Sequence, residues 1–215
     1  MRYSMKPLHL FKAAICLWVC ILSNSLQAQE GLPGIVDNNT YKNAYLGFMI
    51  PLHPDWLVQD GEVRKQLIDL GVEMIGTDNA ALEQALKSAQ QNQRIFNLLT
   101  LSKMPLGVPG PSLIIMAEYL GEAASVMNDK NYLMASREMM HTSKLPVRCG
   151  GLMEKTLHNN TKLFYIECKY TTDSAAIEQQ LFVHIFGKFA VSFVISYDNE
   201  EDKAILENLI SSLQY

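Results

Sequence analysis

The chain has 215 residues, 48% of them hydrophobic, and 18 Lys and Arg against 22 Asp and Glu give a formal net charge of −4. It has no Lys/Arg cluster and leans acidic, so nucleic acid and anionic membrane surfaces are poor partners. After residue 28 no apolar run approaches the roughly 20 residues needed to span a bilayer.

The first 28 residues have the layout of a secretory signal peptide. Arg2, Lys6 and Lys12 precede the first acidic residue, Glu30, and an apolar run from Ala13 to Leu22 follows. Ser23-Asn24-Ser25 and the small residue Ala28 then place the cut between Ala28 and Gln29. The apolar run, about 10 residues, is short for a membrane span. Ile15 and Val19 stand before Cys16 and Cys20, where a lipoprotein signal wants a small residue, so a cleaved export signal is expected rather than a lipid anchor. Cleavage leaves 187 residues, enough for one domain, with 15 basic and 22 acidic residues and a net charge of −7.

Residues 29–40, rich in Gly, Asn and Pro, read as a flexible lead-in to a single domain over 41–215. Asn38-Asn39-Thr40 and Asn159-Asn160-Thr161 fit the glycosylation triplet, a pattern common by chance. Tyr41–Leu52 reads as two short strands about a turn at Gly47, leading into His53-Pro54-Asp55-Trp56. From Gly61 the period becomes helical through Val63, Leu67 and Leu70, with Gly71 placed to end the helix. Asp78 can cap a second helix carrying Ala81, Leu82, Ala85, Leu86 and Ala89.

Arg94–Lys103 is too continuously apolar for a half-exposed strand and reads as a central strand buried on both faces. A stiff loop from Pro105 to Pro111 follows, and Ser112–Leu120 fits a second buried strand better than a short helix. Asn128–His141 should be a helix capped by Asn128, with Tyr132, Leu133, Ser136 and Met140 on one side. Four extended runs then end in Phe189–Tyr197, where Phe189, Val191, Phe193 and Ile195 alternate strictly. Asp198 and Glu201 resemble a capping box for a last helix with an apolar stripe of Ile205, Leu206, Leu209, Ile210 and Leu213. The class is α+β: a mainly antiparallel sheet flanked by helices and closed by an amphipathic C-terminal helix.

Cys149 and Cys168 are the two cysteines that survive cleavage, and an exported pair reads first as a disulfide. Val147–Leu157 and Lys162–Thr171 read as a hairpin turning at His158–Thr161, which sets the cysteines opposite or nearly opposite. Such a bridge stabilises by roughly 3 kcal/mol if unstrained. Two reduced buried thiols are the next reading, and a redox pair would more usually show Cys-x-x-Cys spacing.

The run Tyr-Lys-Asn-Ala-Tyr-Leu-Gly-Phe-Met-Ile-Pro-Leu-His-Pro-Asp-Trp over 41–56 resembles the opening of PsbP-like and DcrB-like exported proteins. There an Asn-x-x-Leu-Gly-Phe strand leads to a Pro-x-x-Trp turn. Gly150-Gly151, the Phe189–Ser196 strand, the acidic break over 198–202 and the final helix fit the same pattern. Residues 61–140 have no equivalent and are a candidate insertion. The resemblance implies an α/β/α sandwich that serves for binding or assembly. It carries no catalytic residue onto this chain, and Leu46, Gly47, Phe48 and Trp56 enter it as fold positions.

Four histidines remain after cleavage, His53, His141, His158 and His184, and none lies within five residues of another. That excludes a helical zinc pair. His53 and His158 sit in turns, where solvated side chains are the plain reading, and His184 lies inside an apolar strand. No nucleophile elbow, dinucleotide fingerprint or phosphate loop is present. Met134, Met139, Met140 and His141 offer soft donors that suit Cu(I), but Met at helical spacing more often fills a core. No catalytic, cofactor-binding or metal-ligating residue is therefore assigned. The expectation is a periplasmic or secreted, non-catalytic binding or accessory protein with an unidentified protein or small-molecule partner. A hydrolase with dispersed catalytic residues and a small-molecule or metal carrier are the alternatives. His141 or His184 meeting a carboxylate and a hydroxyl would favour the hydrolase.

Overall fold

Alternating apolar side chains in four consecutive extended runs build most of one large sheet. The computed structural model describes residues 32–61, 94–105, 110–143, 146–171 and 176–215, with positions 84, 88 and 108. The signal segment 1–28 and nearly all of the two helices expected over 61–93 lie outside the described residues. Strands β4 (Leu57–Val58), β5 (Ile95–Ser102), β6 (Ser112–Tyr119), β7 (Val147–Thr156), β8 (Lys162–Thr171), β9 (Ala176–Phe186) and β10 (Phe189–Tyr197) form one sheet. Its order is β4-β5-β6-β10-β9-β8-β7, and every described pairing is antiparallel.

A second, three-stranded sheet joins β1 (Ile35–Asp37), β2 (Thr40–Asn43) and β3 (Phe48–Pro51). Residues read as a flexible lead-in are thus partly a strand. Asn38 and Asn39 both take positive φ, 47° and 54°, as a two-residue hairpin turn requires. The glycosylation triplet thus coincides with the turn between β1 and β2. Leu32 is 1% exposed, and Asn43 Nδ2 donates to its carbonyl at 2.7 Å. The expected turn at Gly47 is present, with φ +75°.

Between the tips of β7 and β8 the register runs Thr156 to Lys162 and Leu152 to Ile166. Continued without interruption, it would set Cys149 opposite Lys169. A bulge at Gly150-Gly151 absorbs one residue, and Cys149 instead faces Cys168. The two are joined as a disulfide, Cα to Cα 4.0 Å. The glycines read as a family feature therefore have a local task.

The centre of the large sheet is β10, buried along almost its whole length, and not β5 as expected from composition. Among the described residues, strand β5 has only the two residues of β4 on its outer side, although Leu98–Leu101 are buried on both faces. Continuous apolar sequence reports burial of both faces, not position in the strand order. Helix α1 (Asp129–Thr142) is capped by Asn128, whose side chain accepts from Asn131 N–H. Helix α2 (Glu200–Ser211) starts one residue later than a cap at Asp198 would set. Asn199 accepts from Asp202 N–H at 2.9 Å, and Asp202 is held by Lys103 Nζ at 2.8 Å.

The two helices lie on opposite faces, which gives the α/β/α layering. Leu206, Leu209, Ile210 and Leu213 pack with Ile115, Phe182, Val191 and Phe193 on one face. Leu133 of α1 packs with Ile166, Leu181, Val183 and the two cysteines on the other. Gln214 bridges to Met49 through two backbone hydrogen bonds, so the last residues tie the small sheet to the body.

Candidate functional site

The face of the sheet that receives α1 changes character along the strand order. Under α1, on β7, β8 and β9, it presents Leu152, Phe164, Ile166, Leu181 and Val183. Across β10, β6 and β5 the Val183 row continues as Ser192, Met116 and Asn97, and the Leu181 row as Val194, Ile114 and Thr100. The neighbouring Gln179 row continues as Ser196, Ser112 and Ser102, so hydroxyls mix there with apolar side chains. Thr100, Ser192 and Ser196 are buried there. Their hydroxyls pair locally: Thr100 with Asn97 at 2.9 Å, Ser196 with Gln179 at 2.9 Å, and Ser192 with Tyr132.

Helix α1 meets this face through three ties. Its first residue, Asp129, accepts from Ile185 N–H at 2.9 Å and faces His184 Nδ1 at 3.0 Å. A carboxylate can only accept, so Nδ1 carries a proton in this contact. A negative charge also suits the positive end of the helix dipole. The His184 ring is stacked on Tyr215, centroids 4.6 Å apart, and meets the edge of Phe186 at 4.6 Å. Burial, then the charge of Asp129, pushes the Tyr215 hydroxyl up to about 12.

The second tie is polar and runs to Glu118 on β6. Tyr132 Oη donates to Glu118 Oε2 at 2.6 Å. Burial pushes the Glu118 carboxyl up to about 7, against the opposing pulls of the Tyr132 hydrogen bond and the Arg94 charge. Burial, the Glu118 charge and their shared hydrogen bond hold the Tyr132 hydroxyl well above its ordinary value. A carboxyl in this state exchanges its proton near neutral pH.

The third tie joins the end of α1 to the disulfide. Met140 Sδ lies 3.5 Å from Cys149 Sγ and 3.7 Å from Cys168 Sγ, and Tyr170 Oη reaches it at 4.0 Å. Cys149 N–H donates to His141 Nε2 at 3.3 Å. The donors expected to suit copper are thus divided. Met134 turns outward, 43% exposed, whereas Met140 faces the bridge and His141 the backbone. Among the described residues no group of three His, Cys, Asp or Glu is arranged to hold a metal ion.

His53 accepts from Asp55 N–H at 3.3 Å within its turn, and His158 meets Ser212 Oγ at 3.4 Å on the surface. Both stay local, as read. The Pro105–Pro111 loop joins β5 to β6, closed by Lys103 N–H donating to Pro111 O at 3.0 Å. The sequence reading missed Asp129, Glu118 and Tyr215 as partners of His184 and α1. Asp129 and His184 stand 55 positions apart, and no local pattern signals such a pair.

No family model matches the chain, and no curated protein matches it. Solved structures similar to it include cyanobacterial PsbP from Synechocystis, 7% identical over 90% of this chain and 98% of that one, with a TM-score of 0.47. A Pseudomonas aeruginosa protein of unknown function is 10% identical over 56% of this chain and 81% of its own, TM-score 0.38. A Bacteroides thetaiotaomicron protein is 10% identical over 78% of this chain and 44% of its own, TM-score 0.38. The PsbP likeness is distant and concerns the fold, and none of the three bears on ligand or activity.

Proposed function

We propose that this chain is an exported, non-catalytic binding or accessory module. One observation carries the reading: Asp129, Glu118 and His141, three titratable groups on the α1 side, are engaged in fastening α1 to the sheet. Asp129 holds Ile185 N–H and His184, Glu118 holds Tyr132, and the His141 ring holds Cys149 N–H. The export part rests on the pattern of residues 1–28 and on the Cys149–Cys168 bridge, a bond favoured in oxidising compartments. No described helix is long and apolar enough to cross a membrane.

A hydrolase is the second reading, because His184 and Asp129 form an oriented imidazole–carboxylate pair. General-base work needs a substrate or nucleophile proton within hydrogen-bond reach of Nε2. The two readings separate in one assay. Protein starting at Gln29 and its His184→Ala variant are incubated with chromogenic carboxylic esters, phosphate esters and glycosides. The binding reading expects identical background rates for both. Turnover by the parent that His184→Ala abolishes, with the variant still folded by circular dichroism, would replace it with the hydrolase.

A further inference from the structure

We propose that the Cys149–Cys168 bond is a latch for the C-terminal turns of α1, opened by a dithiol reductant, while the N-terminal end of the helix acts as the fixed end. Helix α1 is thinly seated: of its 14 residues only Leu133 is fully buried. The rest of its hold comes from the ties described above, and these differ in chemistry from one end to the other. At the N-terminal end they are hydrogen bonds of Asp129 and Tyr132, none of which involves sulfur. At the C-terminal end they converge on the bridge, with Met140 Sδ touching both sulfurs and His141 bonded to the backbone of Cys149.

Reduction acts on the second set alone. A thiolate of the dithiol attacks Cys149 Sγ, forming a mixed disulfide and releasing Cys168 as a thiolate. The second thiol of the reductant then closes onto its own sulfur in the mixed disulfide and frees Cys149. Two electrons pass to the cysteines, the reductant ends as its internal disulfide, and both thiolates take up protons. Cys149 is the attacked atom because it lies on β7, the outermost strand, whereas Cys168 is flanked by β7 and β9. Two thiols need more room than one bond, and Met140 occupies the space beside both. Without the cross-link, the two-residue bulge at Gly150-Gly151 also holds the edge strand less firmly. The last turns of α1 lose their seat and expose Leu152 and Ile166 beneath.

Hydrogen exchange with mass readout, on oxidised protein and on protein treated with dithiothreitol at the same pH, tests this. Iodoacetamide labelling after treatment counts the thiols. The latch expects two labels, exchange over Met139–Thr142 faster by about tenfold or more, and little change over Asp129–Leu133 and α2. In the oxidised state Met140→Ala should speed the same turns without touching the bridge, which keeps the test available if cysteine variants fail to fold. Acceleration spread evenly over the chain, unchanged exchange in α1, or thiols that label only in denaturant would each overturn the proposal.

Discussion

Glu118 is the residue whose surroundings have the clearest thermodynamic consequence. Its carboxyl titrates near 7 in the folded protein against 4.5 as an ordinary side chain, because burial penalises the charge. Between those values the folded state binds more protons than the unfolded one, so its contribution to stability falls as pH rises through that window. At about 1.4 kcal/mol for each pH unit, the loss from pH 4 to pH 8 is at most about 3 kcal/mol. The figure is a ceiling, since the side chain is only partly withdrawn from solvent. Glu118→Gln keeps a hydrogen-bond partner for Tyr132 and removes the titration. Urea unfolding at the two pH values should therefore show a smaller loss in the variant, and equal losses would refute the assignment. Asp202 pulls the opposite way. Burial raises its carboxyl, but the bonds from Lys103 and Asn199 outweigh that and the net shift is downward. Its stabilisation is lost at acid pH, so the comparison with Glu118→Gln is made between matched pH values.

At the level of elements, the hairpin β7–β8 shows how one inserted residue sets chemistry. Its strand limits and turn were legible, since Lys162–Thr171 alternates and Asn159-Asn160 punctuates the turn. What placed the sulfurs face to face was the bulge, which no count from the turn anticipates. Deleting Gly151 should straighten the ladder and leave Cys149 opposite Cys168, because Leu152, Gly150 and Cys149 then face Ile166, Glu167 and Cys168. A glycine inserted beside Gly151, with the bulge kept, sets Cys149 against Lys169 instead. Mass analysis after non-reducing alkylation is then expected to find two labelled thiols in the insertion variant and none in the parent or the deletion variant. A bridge that still forms in the insertion variant would show that the residue count at the bulge does not set the pairing. The apolar stripe of α2 and the Asn128 cap were likewise readable, because both are local patterns of spacing and capping. The α2 cap was misplaced by one residue. Both Asp198 and Asn199 are cap-forming types, and the choice fell to Asn199, whose Nδ2 also holds Asp202 at 2.7 Å, itself anchored by Lys103 from the end of β5.

For the molecule as a whole, the export reading predicts that protein recovered from its native compartment has an intact mass beginning at Gln29, with two thiols that label only after reduction. Retention of residues 1–28 would remove the oxidising compartment from the argument and with it the first reason for a disulfide. The sequence by itself determined the class of the fold, because periods of 2 and 3.6 report which faces are apolar whatever the partner. It also determined the pairing of the two cysteines to within one residue. Only the tertiary structure decided that β10 is the central strand, that α1 and α2 take opposite faces, and that His184 meets Asp129. It also decided that one sheet face, apolar under α1, mixes hydroxyl and apolar side chains beyond it. Each of these depends on strand order, which joins residues tens of positions apart, and the energy of any one such contact leaves no mark on the local pattern of the chain.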